Sequence, residues 1–207
     1  MSEEMGKPGI SDREDLAWEL LRTEHLVRDE WIDFRRCTYR FPDGKVFTPY
    51  YSYSKRDYVV ILATDENGKY ICVRQFRQGV GRVTTEFPAG GLERTDRTQA
   101  GSSGHLFSLE DATAAARREL REETGYEADE LVHLITLPAN ATISDNTVFL
   151  FMAKNCRKVA AQELDETEFL NVELLSQEEL ERRIHCGRFE QTDHVLAWYM
   201  ARERMNG

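Results

Sequence analysis

Glu119, Glu122 and Glu123 fall within five consecutive residues, inside a stretch, 109–123, that is rich in Ala, Leu, Arg and Glu and reads as a helix. At about 100° per residue they lie near 0°, 300° and 40°, so three carboxylates share roughly 100° of one turn. Ala112, Ala115 and Ala116 occupy the same face earlier in the helix, small enough to let it lie close against a neighbouring element. The last turn of a helix carries partial negative charge, so acids gathered there need something positive to meet them. A divalent cation of the Mg²⁺ kind prefers such hard oxygens and bridges them to phosphate groups. The plain alternative is a solvated acidic surface, with Arg118 and Glu122 in an i,i+4 contact worth a few tenths of a kcal/mol.

The elements that must position these acids are legible in outline. Ser108 followed by Asp111 forms a helix start, and Gly125 supplies the stop. Upstream, strand character recurs at 18–26, 30–41 and 46–53, the last two separated by the turn Pro42-Asp43-Gly44. A hairpin joins 57–64 to 69–75 across Asp65-Glu66-Asn67-Gly68, since Asn-Gly suits the positive φ of a tight turn. Residues 84–87 extend this sheet and end at Pro88-Ala89-Gly90-Gly91; 94–108 forms a polar loop too long for a simple connection. Strands are expected at 131–137, 148–153 and 169–174, and helices at 176–185 and 192–205, the last amphipathic. The mixture indicates an α+β chain: a flexible N-terminus (1–16), a small antiparallel β module (17–56) and a larger domain (57–207).

Composition excludes several function classes. The 27 basic against 37 acidic residues, a formal net charge of −10, argue against a nucleic-acid binder, which needs clustered Lys and Arg to displace counterions. An anionic ligand would therefore need a local basic pocket or a metal. No run approaches the roughly 20 apolar residues of a membrane span. Cys37, Cys72, Cys156 and Cys186 are widely scattered, without zinc-ligand spacing, and read as free thiols in a reducing compartment. With a polar, acidic start, 1–15, this leads to the expectation of a cytoplasmic protein.

The order around the acidic helix is more specific. Glu110 is followed, after seven residues, by Arg118-Glu119-Leu120-Arg121-Glu122-Glu123-Thr124-Gly125-Tyr126, and Pro88-Ala89-Gly90-Gly91 precedes both. This closely resembles the Nudix hydrolase signature: a Gly, five residues, Glu, seven residues, then R-E-U-x-E-E-x-G-U, where U is aliphatic or aromatic. The second half matches without exception. From Gly90 to Glu110 is 20 positions, where the pattern has six, so 94–108 is read as holding an insertion of about 14 residues.

The resemblance implies the Nudix α/β/α sandwich with a mixed sheet, and a loop-helix-loop that binds Mg²⁺ or Mn²⁺ and hydrolyses a diphosphate. Carried over, Glu119 and Glu123 are direct metal ligands, Glu122 a ligand or water-mediated partner, the carbonyl of Ala89 a further oxygen, and Arg118 orients the glutamates. Val73-Arg74-Gln75-Phe76-Arg77 and Glu86-Phe87-Pro88-Ala89-Gly90 are similar to the branch that cleaves ADP-ribose and other nucleoside diphosphate sugars. That likeness assigns substrate contacts to Arg74, Arg77 and Glu86. The stretch 164–169 resembles the branch's acidic loop, with Glu166 preferred as general base and Glu168 second. Pro138 lies three residues early for the branch's substrate loop, and a Gly is missing there, which indicates a somewhat different pocket.

The N-terminal strands resemble the branch's dimerisation module, which implies a homodimer. Phe47, Tyr50, Tyr51 and Tyr53 would serve that interface or a base. The expected activity is Mg²⁺-dependent conversion of ADP-ribose to AMP and ribose 5-phosphate. The alternatives are another diphosphate, such as a GDP- or UDP-sugar or a dinucleotide, and a non-catalytic ADP-ribose sensor. The partner expected is a small nucleotide, with no nucleic acid and no membrane.

Overall fold

In the computed structural model, which describes residues 16–93 and 107–206, two compact units divide at Lys55 and Arg56. The N-terminal unit is one antiparallel sheet of β1 (Glu19–Arg28), β2 (Asp33–Arg40) and β3 (Val46–Ser54), in that order. Its β2–β3 turn is set by the Asp43 carboxylate, which accepts the Lys45 N–H at 3.0 Å. Cys37 is the only buried residue described in this unit. Trp18, Tyr39, Phe41, Phe47 and Tyr50 pack edge to face and face to face along one side, the Trp18 and Phe41 ring centres 4.4 Å apart. Trp31, Val27 and Leu20 stay exposed.

The second unit contains β4 (Tyr58–Asp65), β5 (Tyr70–Arg77), β6 (Arg82–Glu86), β7 (Ala89–Gly91), α1 (Leu109–Thr124), β8 (Tyr126–Glu127), β9 (Leu131–Pro138), β10 (Thr147–Lys158), β11 (Leu170–Leu175), α2 (Gln177–His185) and α3 (Thr192–Asn206). The sheet runs β11-β5-β4-β10-β8, with β6 on β5, β7 on β4 and β9 on β10. It is mixed, because β4 and β10 pair in parallel while the other pairings are antiparallel. The central strands read as unbroken apolar runs since both their faces are covered. Val59, Ile61 and Ala63 pack with Ala112, Ala115, Ala116 and Leu120 of α1. Val60 and Leu62 turn to the other layer, with Leu180 of α2 and Ala197, Trp198 and Ala201 of α3. This is the expected α/β/α sandwich. On α3, His194, Ala197, Trp198 and Ala201 are buried at the i, i+3, i+4, i+7 spacing of one helical face.

The hairpin of β4 and β5 differs from the simple pair expected. The turn is as read: Asp65 accepts the N–H of Asn67 and Lys69, and Gly68 takes φ +73°. The strands pair only at Ala63↔Ile71 and Thr64↔Tyr70 and then part. The freed first half of β4 takes β7 instead, Val60 opposite Ala89 and Tyr58 opposite Gly91, and Ile61 donates to the carbonyl of Pro88 at 2.9 Å. Pro88-Ala89-Gly90-Gly91, read from sequence as a loop, is thus held in the sheet beside α1. Of the long polar segment 94–108, all but Phe107 and Ser108 lie outside the described residues, as do 1–15. Among the described residues no helix is long and apolar enough to cross a membrane.

Candidate active site

Helix α1 starts at the expected capping box, Ser108 N–H donating to the Asp111 carboxylate at 2.7 Å and Asp111 N–H to Ser108 Oγ at 3.1 Å. It ends at Gly125, whose φ of +74° only glycine adopts without strain and whose absent Cβ would sit 2.2 Å from the Ala160 carbonyl. Between these caps the small residues Ala112, Ala115 and Ala116 draw the helix onto the sheet. Glu119 and Glu123 share that face, so the same packing leaves them 6% and 2% exposed. The donors that the last turn requires come from the chain after β10. Glu163 N–H meets the Glu122 carbonyl at 2.9 Å, the Gln162 amide meets that of Glu123 at 2.6 Å, and Val159 N–H meets that of Gly125 at 2.9 Å.

Three contacts clamp β7 to this end of α1. Ala89 N–H donates to Glu123 Oε2 at 3.0 Å, and Arg118 Nη2 donates to the Gly91 carbonyl at 3.1 Å. Between them the Glu119 carboxyl lies over Gly90 so closely that a Cβ there would be 2.0 Å from its Cδ. Arg118 Nη1 also bridges Glu119 Oε1 and Glu122 Oε2, each at 2.9 Å, which realises the i,i+4 contact while tying it into the cluster. Burial pushes the Glu119 carboxyl up to about 7, against Arg118 and with the help of Glu122. Glu123 is raised well above the ordinary carboxylate range, again by burial first. The Ala89 N–H and Arg77 oppose that rise, and Glu119 and Glu168 add to it.

Arg77 therefore lies near enough for its charge to be felt at Glu123. It is held by Glu86, which is fully buried: Arg77 Nε and Nη2 donate to its carboxylate at 2.9 and 2.7 Å, Thr84 Oγ1 at 2.7 Å and Gln191 Nε2 at 3.2 Å. Burial alone would raise Glu86, but the Arg77 hydrogen bonds and charge, with His194 and Thr84, outweigh it and hold the group below the usual range. Arg74 is not brought to the acids. Alternation along β5 turns it to the opposite face from Arg77, opposite Thr85 and Asn171, where its charge acts on Glu173. In the acidic loop Glu166 is exposed, whereas Glu168 is half-buried and is the loop acid whose charge reaches both Glu119 and Glu123.

Sequence reading passed over Thr84, Gln191 and His194. The available signal was a His within the apolar stripe of α3. His194 Nδ1 accepts the N–H of Phe87 at 3.0 Å, which fixes the backbone between Glu86 and Ala89. That bond requires neutral imidazole, and burial pushes His194 down to about 4 from an ordinary 6.5. The stabilisation is complete above the unfolded value and is lost as pH falls from there through the folded one. Between pH 7 and 4.5 wild type should lose about 2–3 kcal/mol more than His194→Asn, whose side chain does not titrate. Urea unfolding of both chains at the two pH values measures this, because protonation of Glu119 and Glu123 is common to both. Parallel losses would show that His194 is not held neutral by the fold.

The donor set suits a hard divalent cation: carboxylates that burial holds above their ordinary range, beside a backbone strand. Among the described residues no three acidic, His or Cys side chains already converge as a metal shell, and Glu119 and Glu122 are turned onto Arg118.

Residues 54–199 match the NUDIX domain, and the chain belongs to that family as a Nudix hydrolase. Among relatives, it is 31% identical to the methanol dehydrogenase activator of Bacillus methanolicus, covering 86% of this chain and 88% of that one. It is 31% identical to an ADP-ribose pyrophosphatase of Bacillus subtilis, over 72% and 73%. An ADP-ribose pyrophosphatase of Mycobacterium tuberculosis is 32% identical, over 73% and 66%. The fold is shared with a crystal structure of an ADP compounds hydrolase, at a TM-score of 0.73, 20% identity, and coverage of 92% and 95%.

Proposed function

We propose that this chain is a Mg²⁺- or Mn²⁺-dependent, cytoplasmic pyrophosphatase of nucleoside diphosphate sugars, acting on ADP-ribose to give AMP and ribose 5-phosphate. The observation that carries the reading is the pair of buried acids, Glu119 and Glu123, both raised by burial, with the Arg77 charge felt at Glu123. A diphosphate brings its own negative charge, so it can meet this acidic cluster only together with cations. Bound metal would supply charge neutralisation of the diphosphate and a lowered pKa for an attacking water. Glu119 and Glu123, with Glu122 and the Ala89 carbonyl, are the oxygens assigned to hold it. Arg118 keeps Glu119 and Glu122 oriented, and Arg77 binds a phosphate.

Water oxygen forms a bond to one phosphorus, the bond from that phosphorus to the bridging oxygen breaks, and the bridging oxygen leaves on the other phosphate. The water proton passes to a carboxylate of the acidic loop. Glu168 is assigned this role in preference to Glu166, since its charge reaches Glu119 and Glu123 and Glu166 stands exposed. Neither Arg74 nor the carboxylate of Glu86 is given a contact with substrate. The exposed apolar side chains of the N-terminal sheet, Trp31, Leu20 and Val27 among them, support a homodimer built on that unit.

The test is hydrolysis of ADP-ribose, a GDP-sugar, a UDP-sugar and a dinucleotide, each with Mg²⁺ and with EDTA, read as phosphate released by added phosphatase. ADP-ribose should have the highest kcat/KM, EDTA should abolish turnover, and the same preparation should sediment as a dimer. Faster turnover of another substrate would move the assignment to it. Tight ADP-ribose binding without turnover would make the chain a sensor, and a fully active monomer would remove the dimer.

A further inference from the structure

The Arg77 guanidinium sits at the end of β5, 37% exposed in its side chain, yet it is paired side-on with a carboxylate that has no exposure at all. Such a long side chain left to itself samples many rotamers. The side-on pairing uses Nε and one Nη2 proton, while Nη1 takes no hydrogen bond among the described residues. Glu86 in turn cannot follow Arg77, because Thr84 Oγ1 and Gln191 Nε2 hold its two oxygens from other directions. The next residue, Phe87, is tied through its N–H to His194 and stacks on that imidazole at 6.2 Å between ring centres. Gln191 immediately precedes α3, and His194 lies in its first turn.

We propose that Glu86 is a positioning residue rather than a substrate ligand, and that Gln191 and His194, through Glu86 and Phe87, fix the direction in which Arg77 presents Nη1. The C-terminal helix thereby sets the affinity for the diphosphate. Both carboxylate oxygens of Glu86 already accept two hydrogen bonds, from Arg77 with Thr84 and from Arg77 with Gln191, so a nucleotide could reach them only by displacing one of these donors. The proposal rests on the reading of Arg77 as the phosphate-binding residue.

The experiment is steady-state kinetics with ADP-ribose and Mg²⁺ on Glu86→Gln, Gln191→Met and Arg77→Ala, together with the two double variants that contain Arg77→Ala. Glu86→Gln should raise KM about tenfold and Gln191→Met about three- to fivefold, with kcat within about twofold in both. In the Arg77→Ala background neither should add anything, because each acts through the guanidinium. Glu86→Asn should behave no better than Glu86→Gln, whereas Glu86→Asp should recover part of the affinity. Gln191→Met keeps the question open to test if Glu86→Gln fails to fold, since Gln191 is only half-buried.

Additive effects in the double variants would make Glu86 a direct ligand and overturn the proposal. So would an unchanged KM in Gln191→Met when hydrogen exchange of the Arg77 Nε–H, read by NMR, has accelerated. A separate result, wild-type KM in Arg77→Ala with the Nε–H of the parent chain still protected, would sink the pocket reading itself. The clamp would then exist without serving substrate.

Discussion

Glu123→Gln is expected to abolish measurable turnover, lowering kcat by about three orders of magnitude, while the folded state becomes slightly more stable. Both halves of that result come from one environment. Glu123 is 2% exposed and raised well above the ordinary carboxylate range by burial, so its ionised form opposes folding. Glutamine has the same shape, carries no charge, and its amide oxygen still accepts the Ala89 N–H. A group that the fold would rather keep neutral, retained at the end of a helix where anions are least welcome, has a use for its charge outside the fold. The measurement is kcat at saturating Mg²⁺ alongside urea unfolding. Turnover near that of wild type would remove Glu123 from the reaction, and a large loss of stability would mean the residue is structural.

Gly90→Ala should separate the same two quantities by a different route. The added Cβ would stand 2.0 Å from Glu119 Cδ and 2.2 Å from each carboxylate oxygen, so those atoms must leave. They are the far end of a flexible side chain, and the cost to stability is about 1 kcal/mol rather than a failure to fold. The cost to catalysis is larger, because the carboxylate is displaced from its position over β7 and from Arg118 Nη1. We expect kcat to fall about hundredfold with a melting temperature within a few degrees of wild type. Unaltered kcat would show that the seat of Glu119 over Gly90 does not matter to the chemistry.

What could be read from sequence was what is written locally. The capping box at Ser108, the αL glycine at 125 and the alanine face that carries Glu119 and Glu123 inward are all settled within one or two helical turns. The acids and Arg118 were found by their order alone. What escaped is non-local. Three residues, Ala89–Gly91, have no periodicity to mark a strand, and β7 exists because β4 parts from β5 after two pairs. Arg74 and Arg77 look equivalent in a list of basic residues, yet an odd separation along a strand sends them to opposite faces, and that parity was available in the sequence. Glu86 was legible as an acid near the box. Its saturation by Thr84 and by Gln191, 105 residues further on, was not. The choice between Glu166 and Glu168 likewise depends on how the acidic loop lies against α1.

The central claim is that the acids ending α1 form a divalent-cation site, and Mn²⁺ binding followed by EPR tests it without requiring turnover. Titrating Mn²⁺ into the wild-type chain in the presence of AMP should deplete the free-ion signal with saturation, Mg²⁺ should compete, and Glu123→Gln and Glu119→Gln should each abolish the depletion. Equal depletion by wild type and both variants, or none by wild type at millimolar Mn²⁺, would contradict it.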